Sequence, residues 1–186
     1  MNPTLKFWAA VAPSFLAVAG IAVRSELLLA HAVEVRLEVR PYDPMDALSG
    51  RYIAAPLAIA VLEVDTLRNE CAHAQPGDSV WVALEPGEPW WRPTAVLCAP
   101  QPDVLSLRGV VREQYDSRWS IDYDIDRFYI PHDAEDPSAP ASGPRPQIIA
   151  VLHIDADGAG ILTDLLVEGE PYAEWNARQQ QATQER

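Results

Sequence analysis

Apolar and charged residues alternate at every step of the sequence VEVRLEVR, which runs from Val33 to Arg40. Because successive side chains of a β-strand point to opposite faces of a sheet, this alternation predicts a half-buried strand. A second apolar run extends from Tyr52 to Val64, and Pro56 within it indicates an edge strand or a bulge. Similar runs between Gly, Pro and Asp turn signals predict strands at Ser79–Leu84, Thr94–Cys98, Val104–Arg112, Ile121–Ile130, Gln147–Ile154 and Gly160–Val167.

Two details of the pattern predict local geometry. Within Ile121–Ile130 the apolar phase changes between Ile125 and Phe128, which predicts a β-bulge near Arg127. The sequence DADG at 155–158 separates two predicted strands. It predicts a hairpin turn in which the glycine supplies a positive φ.

Together the runs predict about seven or eight strands and almost no helix in this part of the chain. The fold class is therefore mainly β, as a single small antiparallel barrel or sandwich. Residues 134–146 are rich in Pro, Ser and Ala, which predicts a mobile loop, and the polar sequence from Ala173 onward predicts a short helix fraying into a disordered tail. We predict three segments: an N-terminal segment at 1–32, a β-rich domain at 33–172 and a polar tail at 173–186.

The N-terminal segment contains an uncharged apolar stretch from Phe7 to Val23, bracketed by Lys6 and Arg24. As a helix it would reach about 25 Å, the short end of a membrane span. The positive charges ahead of it favour a cytoplasmic N-terminus and an exported domain, which predicts a single-pass inner-membrane protein with its domain in the periplasm. Two alternatives remain: a signal peptide cleaved at the A-x-A sequence of residues 30–32, and a buried helix of a soluble protein.

Charge excludes one class of partner. The 186-residue chain has a net charge of −13, from 27 acidic and 14 basic residues, so it would repel a phosphate backbone. We therefore expect no nucleic-acid binding. Lys6 is the single lysine among the bases, a bias typical of GC-rich bacterial genomes.

Two segments carry a family resemblance. The sequence VRPYDPMDALSGRY at 39–52 follows the first strand with closely spaced prolines and aspartates, and the sequence IDYDIDRFYIP at 121–131 is aromatic and acidic. In this order, behind an apolar N-terminal stretch, they resemble the bacterial GDYXXLXY protein family. The family-motif positions are Pro41, Asp43, Pro44, Gly50, Arg51, Tyr52, Tyr123, Ile125, Asp126 and Phe128.

The chain also departs from the family motif. Arg51 stands where the motif has aspartate, Ala55 where it has leucine and Leu57 where it has the last tyrosine, while Asp124 and Asp126 replace a glycine and a glutamate. Arg51 reverses the charge of the motif acid, so any chemistry of that acid would be lost here. The resemblance implies location and partner class: an anchored exported domain whose relatives are often encoded beside multi-pass membrane proteins.

Acidic residues offer one candidate for metal binding. Asp122, Asp124 and Asp126 would share one face of a strand, where three carboxylates could bind Ca²⁺ or Mg²⁺ in a metal-binding module or a metal-dependent hydrolase. The alternative is a solvated face opposite Tyr123 and Ile125. The Asp residues at 155 and 157 echo the start of a calcium loop, but no closing glutamate follows at the required spacing, which favours the hairpin.

The histidines, cysteines and tryptophans do not decide between these functional interpretations. His31, His73, His132 and His153 have no metal-ligand spacing, and no nucleophile, phosphate-loop or dinucleotide motif occurs, so we predict neither enzyme activity nor a cofactor. The only two cysteines, Cys71 and Cys98, are compatible with a disulfide or with a buried thiol in an apolar strand. Four tryptophans could form an aromatic binding surface for a glycan or could pack in the core: Trp81, Trp90, Trp91 and Trp119.

These patterns favour a non-enzymatic accessory protein. We expect a domain outside the cytoplasm that is held at the membrane and interacts with an integral membrane partner. The metal-binding module or hydrolase is the alternative.

Overall fold

A computed structural model of the protein describes residues 32–40, 52–131, 134–137 and 145–184. The chain divides into two units, Met1–Ala32 and Val33–Arg186, and all of the described residues except Ala32 belong to the second. The predicted anchor therefore lies outside the described residues, as do the motif positions from Pro41 to Arg51, His31, His132 and most of the predicted loop at 134–146. Among the described residues, no helix combines the length and apolarity that a membrane crossing requires.

The described residues are mainly β, as predicted. They form twelve strands and one α-helix, α1 (Tyr172–Gln184), with short 3₁₀ helices at Ala58–Ala60 and Val64–Thr66. The strands are β1 (Val33–Glu38), β2 (Tyr52–Ala54), β3 (Val61–Glu63), β4 (Arg68–Asn69), β5 (Ser79–Glu85), β6 (Arg92–Leu97), β7 (Ser106–Tyr115), β8 (Arg118–Asp122), β9 (Arg127–Tyr129), β10 (Ile148–Ile154), β11 (Gly160–Val167) and β12 (Glu170–Pro171). The count exceeds the predicted seven or eight because the predicted runs at 52–64 and 121–130 each divide into two strands, and because the two-residue strands β4 and β12 lie outside the predicted runs.

Three sheets enclose the core in a curled, half-barrel arrangement. One has six strands in the order β3-β8-β7-β5-β6-β4, one has four in the order β1-β10-β11-β12, and β2 pairs with β9 alone. Every described pairing is antiparallel except that of β4 with β6. A single main cluster of buried side chains draws on all three sheets, because alternate residues of each strand turn inward, as Leu37, Ile53, Leu107 and Leu152 do.

The predicted hairpin turn between β10 and β11 is confirmed, with Gly158 at φ +84°. The carboxylate of Asp155 accepts hydrogen bonds from the backbone N–H groups of Asp157 (2.9 Å) and Ala159 (2.8 Å). The turn also contacts the six-stranded sheet, because the Trp81 indole N–H donates to the Asp157 carbonyl at 2.9 Å. This turn therefore joins the two larger sheets.

The predicted single strand Ile121–Ile130 is wrong, and so is the bulge near Arg127. β8 ends at Asp122, whose carboxylate accepts a hydrogen bond from the backbone N–H of Asp124 at 2.9 Å. Asp124 then takes φ +58°, which turns the chain before β9 begins. Aspartate favours such turns because its short side chain bonds to nearby backbone and tolerates the left-handed region. The apolar phase change therefore marks a turn and a second strand.

The C-terminal segment forms a helix of 13 residues. Tyr172 anchors its first turn: the ring is buried, lies 5.6 Å from the Phe128 ring in an edge-on arrangement, and stacks 6.1 Å from the Trp175 ring. The Tyr172 hydroxyl donates to the Glu135 carbonyl at 2.7 Å.

Contacts further along the helix also join it to the domain: the Asn176 side chain accepts from the Glu135 backbone N–H at 2.8 Å, and Arg178 pairs with Glu170. The helix therefore forms in a polar sequence because tertiary contacts stabilise it.

A disulfide joins Cys71 and Cys98, with their Cα atoms 5.1 Å apart. Cys71 follows β4 and Cys98 follows β6, so the bond lies beside the one parallel strand pair of the described residues. Cys98 is exposed at the end of its strand rather than buried within it.

Candidate interaction site

The two segments that resemble the family motif meet in the structure through Tyr52, the last residue of the first segment. β2 and β9 pair so that Tyr52 faces Tyr129, Ile53 faces Phe128 and Ala54 faces Arg127. We call this pair of strands, Tyr52–Ala54 and Arg127–Tyr129, the motif ribbon. Residues directly opposite each other in an antiparallel pair share a face. The ribbon therefore has one face that combines side chains from both segments.

The outer face of the motif ribbon is aromatic and cationic. Tyr129 is 70% exposed, and its ring lies 6.2 Å from that of Tyr52. The Arg127 guanidinium lies 5.2 Å from the centre of the Tyr52 ring, within cation–π range. The Asp126 carboxylate lies 3.8 Å from Arg127 and raises the pKa of that guanidinium, which is protonated at physiological pH in any case; the same carboxylate offsets part of its positive charge.

The inner face of the motif ribbon belongs to the core. Ile53 is fully buried, and Phe128 packs against the main cluster and the Tyr172 ring. Tyr123, a third motif position, donates its hydroxyl to the Ile59 carbonyl at 3.0 Å, and burial raises the pKa of that hydroxyl. Tyr123 therefore stays neutral and holds the turn before β9 against the 3₁₀ helix at Ala58–Ala60.

A groove of about 570 Å³, here called the ribbon groove, lies beside the motif ribbon. Tyr129 and Ile161 contribute apolar surface to it, and Asp124 contributes an exposed carboxylate. Its other lining residues are Arg112, Asp122, Ile125, Asp126, Arg127, Gly160 and Leu162. An exposed groove with aromatic, aliphatic and charged walls suits contact with another molecule.

One ion pair fixes part of this groove. The Arg112 guanidinium donates two hydrogen bonds to the Asp122 carboxylate, one from Nε at 2.9 Å and one from an Nη. The bond from Arg112, with that from the Asp124 backbone, lowers the pKa of Asp122 below its ordinary value. The pair is largely solvent-exposed, so its net contribution to stability is small.

The Asp122→Asn variant tests this ion pair. At pH 7 we expect the free energy of unfolding to fall by up to about 1 kcal/mol, because exposed pairs contribute little more. The folded pKa is lowered, so the contribution is complete above the unfolded-state pKa and disappears as pH falls through the lowered value. Urea unfolding at a series of pH values should show the unfolding free energies of the parent protein and the variant converging at low pH.

A double-mutant cycle tests the coupling of the pair. Arg112→Gln should lower the unfolding free energy by less in the Asp122→Asn background than in the parent protein. Equal losses in the two backgrounds would contradict the coupling.

The candidate metal residues are not arranged as the sequence suggested. Asp122 ends β8 and is paired with Arg112, while Asp124 and Asp126 lie in the following turn, so the three do not share one face of a strand. No three His, Cys, Asp or Glu side chains of the described ranges are grouped to hold a metal ion. His153 lies on β10, its Nδ1 3.1 Å from the Thr163 hydroxyl.

The four tryptophans have different surroundings. Trp119 is 5% exposed in the main core, and Trp81 bonds to the hairpin turn. Trp90 and Trp91 are both half-buried in the connection between β5 and β6. They line a second groove of about 270 Å³, here called the tryptophan groove. The two alternatives that the sequence left open therefore both occur: Trp119 packs in the core, whereas Trp90 and Trp91 are only half-buried.

Sequence reasoning missed the central feature of the site, the pairing of β2 with β9. The two segments lie far apart in the chain, and no turn signal links them. It also missed Arg112, the partner of Asp122, which lies in a strand of ordinary alternating pattern. The one usable signal was the presence of aromatic residues in both segments, tyrosines in the first and tyrosines with a phenylalanine in the second, since aromatic residues favour cross-strand pairs.

Comparisons with known proteins give one result. The sequence model of the GDYXXLXY protein family matches residues 14–165, which is most of the chain and includes both motif segments. No curated protein and no solved structure matches the chain significantly. The matched range and the two segments that meet in the motif ribbon lead to one conclusion: the chain belongs to the GDYXXLXY protein family.

Proposed function

We propose that this protein is a membrane-anchored accessory protein of the bacterial inner membrane. Its β domain lies in the periplasm and binds an integral, multi-pass membrane protein through the outer face of the motif ribbon. The observation that carries the proposal is the pairing of β2 with β9, which places Tyr52 of the first family-motif segment beside Arg127 and Tyr129 of the second on one exposed face.

The chemistry of the ribbon suits protein binding. Tyrosine and arginine are enriched among residues that dominate binding energy at protein interfaces. Tyr52, Arg127 and Tyr129 are held before any partner arrives, because the strand pairing and the cation–π contact limit their conformations. Preorganisation lowers the entropy cost of association. The ribbon groove adds Ile161 and the Asp124 carboxylate beside these residues.

The N-terminal sequence supports the membrane part of the proposal. The uncharged stretch Phe7–Val23, after Lys6, has the composition of a short span with a cytoplasmic N-terminus. An anchor would hold the domain near other membrane proteins and raise its effective concentration for them. A modest surface such as the motif ribbon is then sufficient for binding.

The test is affinity purification of the tagged full-length protein from gently solubilised bacterial membranes. We expect an integral membrane protein to be recovered with it. The double variant Arg127→Ala/Tyr129→Ala should reduce that recovery about tenfold, because each side chain is of the type that contributes strongly at interfaces. Both substitutions are on the exposed face, so the melting temperature should stay close to that of the parent protein.

Tyr115→Ala is the matched control, since Tyr115 is 79% exposed but lies outside the motif ribbon and its groove. It should leave recovery unchanged. If the protein is found outside the membrane fraction, the proposed anchor is wrong. If the double variant recovers the membrane protein as well as the parent protein does, the motif ribbon is not the binding surface.

A further inference from the structure

The tryptophan groove lies between the end of β1, the start of β3 and the connection from β5 to β6. Its floor is apolar, with Ile59, Leu62 and Leu67, and its walls carry Trp90, Trp91 and the charged residues Glu38, Glu63 and Arg92. It shares no lining residue with the ribbon groove. At about 270 Å³ it is near the lower limit of ordinary ligand pockets, so a small ligand suits it.

The two adjacent tryptophans have different roles. Trp91 packs against the main core, and its backbone N–H donates to the Arg36 carbonyl at 2.8 Å. Trp90 is half-buried but does not pack against either buried cluster of the described residues. Its indole therefore contributes little to the core and leaves an aromatic surface in the wall of the groove.

The charged side chains of the groove also differ. The Glu63 carboxylate already accepts hydrogen bonds within the fold, from the Arg118 guanidinium at 2.9 Å and from the Ser117 hydroxyl at 3.3 Å. Within the described ranges, Glu38 and Arg92 make no side-chain hydrogen bond or ion pair. The groove thus offers one acceptor group and one donor group that the fold does not use.

These charges restrict the ligand. Arg118 already pairs with Glu63. Among the described residues that line the groove, the unpaired charges are therefore Glu38 and Arg92. An anion would be attracted by Arg92 but repelled by Glu38, and a cation would be attracted by Glu38 but repelled by Arg92. A neutral ligand with both donors and acceptors can use Glu38 and Arg92 together. The Trp90 indole adds a requirement for an apolar face that can lie on an aromatic ring. Saccharides meet these conditions, because C–H groups line one face of the ring and hydroxyls, which donate and accept, surround it.

We propose that the tryptophan groove binds a neutral saccharide, as a free sugar or as the end of a glycan. The sugar ring lies on Trp90, its hydroxyls donate to the Glu38 carboxylate, and the Arg92 guanidinium donates to its oxygens. This binding is independent of the motif ribbon and would persist without a membrane partner.

The experiment is titration of the purified full-length protein with glucose, N-acetylglucosamine, maltose and cellobiose. Binding is measured by calorimetry and by tryptophan emission during the titration. The detergent must not carry a sugar headgroup, since such a headgroup would compete. We expect saturable binding of at least one of these sugars with a Kd of about 0.1–10 mM, as is usual for a small ligand in an open groove. Trp90→Ala should weaken it about tenfold.

Three controls decide the result. Tyr115→Ala removes an exposed aromatic ring outside the groove and should leave the Kd unchanged. Arg92→Gln keeps a donor but removes the charge at an exposed site; it should weaken binding severalfold even if Trp90→Ala proves unstable. Choline and glucose 6-phosphate represent a cation and an anion.

Absence of saturable binding by all four sugars would overturn the proposal. So would tighter binding of choline or of glucose 6-phosphate, or a Kd for sugar that neither groove variant changes. The Arg127→Ala/Tyr129→Ala variant should bind sugar with an unchanged Kd even if it no longer recovers the membrane partner. The saccharide proposal and the membrane-partner proposal can therefore be contradicted independently.

Discussion

Replacing Gly158 by alanine should lower the free energy of unfolding by about 3 kcal/mol. Two effects add. The residue has φ +84°, which costs a side chain about 1–2 kcal/mol. An added Cβ would also lie 2.8 Å from Trp81 Cδ1 and 2.9 Å from the Ser106 carbonyl oxygen, and the backbone at Ser106 has little freedom to move. The turn must therefore shift away from the six-stranded sheet and strain the Trp81 hydrogen bond.

Gly169→Ala provides the matched control for Gly158→Ala. Gly169 has φ +86°, but nothing lies within 4 Å of an added Cβ. We expect it to cost only about 1 kcal/mol, from backbone strain alone. Urea unfolding of both variants isolates the packing contribution as their difference. If the two variants lose equal stability, the close approach between the turn and the sheet is wrong.

The disulfide gives the second large effect. The double variant Cys71→Ser/Cys98→Ser should lose about 3 kcal/mol of unfolding free energy, because the bond closes a loop with a sequence separation of 27 and restricts the unfolded chain. Thermal or urea unfolding with and without a reductant measures it. Reduction should destabilise the parent protein by a similar amount.

A reductant should have no effect on the double serine variant, which separates loss of the bond from general effects of the reagent. The bond also holds the short parallel strand β4 beside β6. Amide hydrogen exchange at Asn69 and Glu70 should therefore increase more than exchange in β7 when the bond is removed. If exchange increases equally in β4 and β7, β4 does not depend on the disulfide.

The sequence predicted the regular strands well because each of them buries a row of apolar side chains. Val33–Glu38, Ile148–Ile154 and Gly160–Val167 all lie within predicted strands, and the turn at 155–158 was predicted from its glycine. Strands as short as β4 or β12 were missed, since two residues carry no periodicity. The helix α1 was only partly predicted, because it depends on Tyr172 and Trp175 packing rather than on an amphipathic pattern.

The candidate site was less predictable for a physical reason. Alternation shows which face of a strand is buried but not which strand is its neighbour, and β2 and β9 pair across a long stretch of chain. The family resemblance identified the two segments without showing that they touch. For the tryptophans, sequence could not separate the buried Trp119 from the half-exposed Trp90, since both are flanked by residues compatible with strands or loops.

The packing between β9 and α1 has a consequence for sequence variation in the family. Phe128, Tyr172 and Trp175 fill one volume together, and Phe128 has Arg127 and Tyr129 as its neighbours on the outer face. A smaller ring at one of the three positions leaves a cavity unless another becomes larger. These positions should therefore covary among relatives, and changes near the C-terminus should accompany changes in the strand that carries the outward tyrosine.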